Sequence, residues 1–208
     1  MNKKRQQRLQ TLVDHDAPYY AQGFRLAGID EAGRGPLAGP VVAACVVMPK
    51  EPVIPWVDDS KMLSELRREL VYNDIIDTAL YIGIGWVDAG EIDRINILQA
   101  TIHAMRQAAA GARADIYLVD AVKNLQLDGR EKALVRGDSL SYAIAAASII
   151  AKVSRDRLMR QEDERYPHYC FLKNKGYGTA EHIKALREYG PCPLHRKSFI
   201  GNFSQADV

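Results

Sequence analysis

Two apolar runs constrain this chain more than anything else in it: Gly39 to Met48 and Ala143 to Ala151. The first is crowded with Val41, Val42, Val46 and Val47, and β-branched residues in an unbroken apolar run read as a buried strand. The second is packed with alanine, and small residues let a helix backbone lie close against a sheet. A strand buried on both faces needs cover on both faces, so α/β architecture with a mixed sheet is the expectation. Both runs are too short to span a bilayer.

The remaining elements follow from periodicity. Phe24 to Asp30 reads as a first strand, joined to the valine run by a short Gly-rich link that suits an antiparallel hairpin. Leu80 to Val87, Asp115 to Val119 and Lys132 to Arg136 predict three more strands. Helical spacing predicts helices over Ser60 to Thr78 (Leu63, Leu66, Leu70, Val71) and 94–111 (Ile95, Leu98, Ile102, Met105, Ala109). Two more are expected over Ser141 to Tyr166 and Thr179 to Tyr189. Residues 1–22 are polar and mixed, and are expected to form a short helix or arm ahead of one domain over 23–208. No internal repeat is visible.

Composition excludes several classes. With 208 residues, 47% hydrophobic and 26% charged, the chain is neither disordered nor a disulfide scaffold. Three cysteines at no framework spacing, and no apolar segment after the basic start, fit a reducing, cytoplasmic setting. A net charge of +2 is no general argument for a nucleic-acid partner, although the segment from Cys170 onward is locally basic. Nothing points beyond a monomer.

The densest chemical signal is Gly28-Ile-Asp30-Glu31-Ala-Gly33-Arg34-Gly35-Pro36. Two carboxylates end a strand, and a glycine-rich turn follows at once. Ligand sites of open α/β sheets lie beyond the carboxyl ends of strands. Asp120 ends another expected strand, and Asp138 precedes the alanine-rich helix. Taken singly, Asp30 and Glu31 also suit a turn, Asp120 a turn start and Asp138 a helix cap. Taken together, four clustered acids raise one another's pKa and call for hard divalent cations such as Mg²⁺ or Mn²⁺. Two such ions about 3.5–4 Å apart serve in-line displacement at phosphorus.

The flanking blocks resemble ribonuclease HII. They are Asp30-Glu31-Ala-Gly-Arg-Gly, Asp59-Ser60-Lys61-Met-Leu63-Ser64, Asn96-Ile-Leu-Gln-Ala-Thr101, Ala145 to Arg157, Asn174-Lys-Gly-Tyr-Gly-Thr179 and Pro193-Leu-His-Arg196. They run in the family's order from about Arg25 to Phe199. The resemblance implies a ribonuclease H-like fold, a five-stranded mixed sheet flanked by helices with a helical C-terminal segment. It implies cleavage of the RNA strand of RNA–DNA hybrids. It also implies incision 5′ of single ribonucleotides in duplex DNA, leaving a 3′-hydroxyl and a 5′-phosphate. Asp30, Glu31, Asp120 and Asp138 would be the metal-binding and catalytic acids. Alternatives are a non-catalytic hybrid-binding protein, or another nuclease on the same fold.

Substrate choice turns on the 2′-hydroxyl. Gly33-Arg34-Gly35 can bring backbone close to a sugar, and the family assigns this turn to the ribonucleotide and its phosphate. By the same resemblance, Tyr177, set between Gly176 and Gly178, packs on the following sugar. Lys61, Lys175, Arg196 and Lys197 are candidate phosphate contacts. Arg155, Asp156 and Arg157 lie within the long helix, where ion pairing and function are equally open, and Asp156 is not counted among the catalytic acids. His168, Cys170, Cys192 and His195 have poor zinc spacing, and His15, His103 and His182 carry no visible role.

Overall fold

In the computed structural model, which describes residues 1–203, the valine run forms β2 (Val41–Val47), buried at every position. It pairs antiparallel with β1 (Leu26–Ala32) and with β3 (Tyr81–Val87). β1 in turn pairs parallel with β4 (Ile116–Asp120), which pairs parallel with β5 (Arg130–Leu134). The sheet is five-stranded and mixed, in the order β3-β2-β1-β4-β5. The fifth strand begins two residues earlier than Lys132. Residues 204–208 of the expected domain lie outside the described residues.

Successive strand residues point to opposite faces, and each face has its own helix. Val41, Ala43, Cys45 and Val47 pack with Ala100, Ala104 and Ala108 of α4 (Ile97–Ala109). Ala44 and Val46 pack with the alanines of α5 (Tyr142–Arg165), alongside Val71 and Ile75 of α2 (Glu65–Thr78). Here labels follow chain order, with α1 (Lys3–Ala21) first and α3 (Ala89–Ile95) just before α4. The C-terminal segment holds α6 (Phe171–Asn174), α7 (Ala180–Tyr189) and α8 (Lys197–Ile200).

Two helices depart from the expected limits, each through a polar cap. The single helix expected over 94–111 is two. Asn96 has a positive φ of 68°, and its side chain accepts from the N–H groups of Leu98 and Gln99, restarting the helix as α4. The apolar spacing ran through Asn96 because Ile95 and Leu98 serve different helices. Likewise α2 starts at Glu65 and not at Ser60, because Ser64 caps it and Asp59 caps a separate turn at Ser60–Met62. The N-terminal helix is 19 residues long, with Leu12 and Asp16 buried. Asp16 accepts from the Ser141 hydroxyl (3.0 Å) and the Ala143 N–H (2.9 Å), so α1 caps the start of α5 with a carboxylate. No helix among the described residues is long and apolar enough to cross a membrane.

Candidate active site

The site begins with a close approach. A Cβ on Gly28 would stand 2.1 Å from the backbone carbon of Ala143, so only glycine lets α5 lie against β1 there. Two residues along the same face, Asp30 emerges beneath α5, 4% exposed. Asp120 closes the neighbouring parallel strand. Asp138 lies in the Gly137–Ser139 turn that leads into α5, also 4% exposed. One carboxylate oxygen from each of Asp30, Asp120 and Asp138 lies within 4.8 Å of the others. Glu31 stands outside that trio because adjacent strand residues face opposite ways; its Oε1 meets Arg34 Nη1 at 3.5 Å. Its other oxygen, Oε2, is buried with no hydrogen-bond partner.

The electrostatics are those of crowded acids. Burial, then the charges of Glu31 and Asp120, push Asp30 well above the usual carboxylate range, although the Glu31 N–H (2.7 Å) and the Ser148 hydroxyl favour its ionised form. Burial also raises Glu31, against the pull of Arg34, and raises Asp120, against the N–H of Gly137 at 2.8 Å. Lys61 Nζ sits 3.3 Å from Asp138 Oδ2. Partial burial opposes its charge, yet Asp59 and Asp138 together push its pKa up. An all-oxygen cluster of crowded acids beside an orphaned buried oxygen fits a hard divalent cation. Beside these acids runs an open cleft of about 300 Å³, whose walls include Glu31, Gly33, Arg34, Gly35, Lys61 and Tyr177.

A family model described as Ribonuclease HII matches residues 27–202. The chain belongs to the ribonuclease HII family. The chain is 50% identical over 196 residues to a ribonuclease HII of Caldanaerobacter subterraneus subsp. tengcongensis, covering 93% of this chain and 81% of that one. It is 55% identical over 185 residues to a ribonuclease HII of Syntrophobacter fumaroxidans, covering 88% and 79%. The fold matches the crystal structure of ribonuclease H2 from Pyrococcus horikoshii OT3 with a TM-score of 0.74 at 24% identity, covering 86% of this chain and 97% of that one.

Within the span matched to ribonuclease HII, the expected substrate residues divide into two groups. Gly33, Arg34, Gly35, Lys61 and Tyr177 line the cleft. Tyr177 is 46% exposed, and a Cβ on Gly35 would meet only its ring, at 3.9 Å. Lys175 does not reach the cleft lining; its Nζ donates to the Leu172 carbonyl. Arg196 corrects the expectation of a phosphate contact. It is 0% exposed and donates to the carbonyls of Gly33 (2.6 Å), Arg34 (3.0 Å) and Gly39 (2.7 and 3.0 Å). Arg155, also fully buried, donates to the carbonyls of Pro40 (2.9 Å), Ala38 (3.0 Å) and Lys175 (2.9 Å). The two guanidiniums turn the carbonyls of the glycine-rich loop inward and fix its place. Asp156 pairs with Lys152 (2.6 Å) and Arg68 (3.5 Å).

Sequence reasoning passed over Ser60, Ser148 and Lys152, all of which line the cleft. Ser148 Oγ and Ser60 Oγ are hydrogen-bonded at 2.9 Å. The available signal was chemical: Ser148 is the one hydroxyl between Ala143 and Ala151, in a stretch otherwise made of alanine and isoleucine.

Proposed function

We propose that the chain is a divalent-metal-dependent endoribonuclease that cleaves the RNA strand of RNA–DNA hybrids and incises 5′ of single ribonucleotides in duplex DNA. It leaves a 3′-hydroxyl and a 5′-phosphate, and so makes the first cut in ribonucleotide excision. The observation that carries this reading is the trio of carboxylate oxygens within 4.8 Å at the edge of a cleft lined by the glycine-rich turn and Tyr177.

Asp30, Asp120 and Asp138, with Glu31 as a fourth carboxylate, would hold Mg²⁺ or Mn²⁺. Bound there, such ions supply charge to the phosphodiester and lower the pKa of water for attack in line with the leaving oxygen. The protein residues do the rest. The Gly137 N–H holds one oxygen of Asp120 and so fixes its carboxylate. Lys61, 78% exposed at its side chain, balances Asp138 and can shift toward a phosphate that lies in the cleft. Gly33 and Gly35 bring backbone close to the ribose, where N–H and C=O groups read the 2′-hydroxyl. The Tyr177 ring lies across from Gly35 and favours a following sugar without that hydroxyl.

The test is a duplex carrying one ribonucleotide, incubated with Mg²⁺, with Mn²⁺ or with EDTA, with the cut mapped at nucleotide resolution. Incision 5′ of the ribonucleotide with either metal, and none with EDTA, is expected. Binding without incision would favour a non-catalytic hybrid binder, and cutting of plain DNA another nuclease.

A further inference from the structure

His182 and His195 stand 13 positions apart in sequence, yet their Nε2 atoms are 3.0 Å apart in a buried pair. Only one arrangement of protons satisfies every neighbour. His182 Nδ1 lies 2.8 Å from the Tyr177 carbonyl, which accepts only, so this nitrogen carries hydrogen. A neutral His182 then presents a bare Nε2, so the hydrogen between the rings belongs to His195 Nε2. His195 Nδ1 is left to accept from the Cys192 N–H at 3.0 Å. The Cys192 carbonyl accepts from the His195 N–H at 3.0 Å and lies farther from His195 Nδ1, at 3.3 Å, than the Cys192 N–H does. The donations run Cys192 to His195 to His182 to Tyr177.

We propose that this two-histidine relay is a positioning device for Tyr177, and that it works only while both rings are neutral. The inference rests on the reading of Tyr177 as the residue that packs on the following sugar. Tyr177 stands on an exposed bend of the loop Asn174–Thr179, while His195 is anchored beside Arg196, which holds the glycine-rich turn. The relay thus ties one side of the sugar-reading cleft to the other. A second proton on His182 leaves two N–H groups facing each other across the Nε2 contact, and one on His195 Nδ1 faces the Cys192 N–H, so either breaks a link of the chain.

The surroundings hold the pair neutral. Burial lowers the pKa of His182, and burial together with His182 pushes His195 down to about 4. Around the rings pack Tyr169, whose hydroxyl donates to the Gly190 carbonyl, Phe171 of α6, and Cys192. Glu162 of α5, on the Cys192 side, is tied to Arg165, and Glu181 of α7 to Lys173. The nearby cations, Arg155 and Arg196, are committed to backbone carbonyls. Among the described residues no carboxylate comes within ion-pair distance of either ring.

Nitrogen-15 spectra of histidine-labelled full-length protein test the relay directly. At neutral pH, His182 should be the Nδ1–H tautomer and His195 the Nε2–H tautomer. A charged ring at pH 6, or the opposite tautomer at His182, overturns it. Incision rates, taken well below each variant's unfolding temperature, test the role. His182→Phe should slow single-ribonucleotide incision by about tenfold or more, as a misplaced substrate contact does. Combined with Tyr177→Ala, it should add no further loss, because both changes act through one contact. His182→Asn keeps a donor at the Nδ1 position and should recover most of the rate. Multiplying losses in the double variant would overturn the positioning role. Wild-type incision by Tyr177→Ala alone would instead remove the reading of Tyr177, while the tautomers would still decide the relay.

Discussion

Two polar regions border the same cleft and are built on opposite terms. At the carboxylate rim, Asp30, Asp120 and Asp138 crowd within 4.8 Å, and Glu31 Oε2 has no partner inside the protein. Under the glycine-rich turn, Arg155 and Arg196 are fully buried cations, yet their donors meet the carbonyls of Gly33, Arg34, Ala38, Gly39, Pro40 and Lys175. A buried polar group is tolerated when satisfied and destabilising when not. The contrast teaches where each region finds its complement. The guanidiniums are completed by the fold and set geometry, whereas the carboxylates leave a buried oxygen of Glu31 without a partner.

The strongest way to break this contrast is to neutralise the rim. Asp30→Asn should lower incision by on the order of 10³-fold or more, a barrier increase of about 4 kcal/mol or more. The same change should raise stability. The folded pKa of Asp30 lies above its unfolded value, so its ionised form opposes folding at neutral pH. Relief of about 1 kcal/mol would appear as a rise in Tm of about 2–4 °C. A fall in Tm together with lost activity would mean that Asp30 serves the fold.

The second comparison is the reverse substitution in the brace. Arg196→Met should destabilise the protein by about 3 kcal/mol in urea unfolding, because buried carbonyls lose charged donors. Incision should fall even where the variant is folded. An unchanged urea midpoint would refute the brace.

Gly176→Ala probes the same region more gently. Its φ is +83°, and a Cβ would stand 2.3 Å from the Ala38 carbonyl oxygen. A loss of about 2 kcal/mol is expected, read as a lower Tm. Acid should act on the histidine pair too, in a way that sharpens its part. Both folded pKa values lie below the unfolded value, so stability should be level above about pH 6.5. It should decline as pH falls from there toward about 4, where His195 itself takes a proton. In His182→Phe/His195→Phe that part of the decline should vanish from thermal melts across pH. The smallest effect belongs to exposed Lys61. Lys61→Met should weaken duplex binding modestly and reduce the slope of log affinity against log salt by about one, measured by fluorescence anisotropy.

Legibility differed among residues for physical reasons. The strands were visible because a doubly covered strand must be apolar throughout, as Val41 to Val47 are. Asp30, Asp120 and Asp138 were visible because strand ends and helix starts follow from local patterns. Asn96 and Ser64 were hidden, since a side chain that caps a helix looks, in periodicity, like any polar residue between apolar ones. Arg196 read as a surface cation because burial of a guanidinium depends on carbonyls brought from positions 33 to 39. His182 and His195 were unreadable for the same reason: neither has a meaningful neighbour in sequence.

The amino-acid sequence by itself determined the layered α/β class, the family and the candidate acids, because these depend on local pattern and residue type. Only the tertiary structure decided that Glu31 stands outside the trio of the other acids, that Arg196 faces inward and that two distant histidines meet beside the Tyr177 carbonyl. Each of those depends on which groups meet across the fold, and a hydrogen bond is specified by distance and direction in space, which spacing along a chain does not encode.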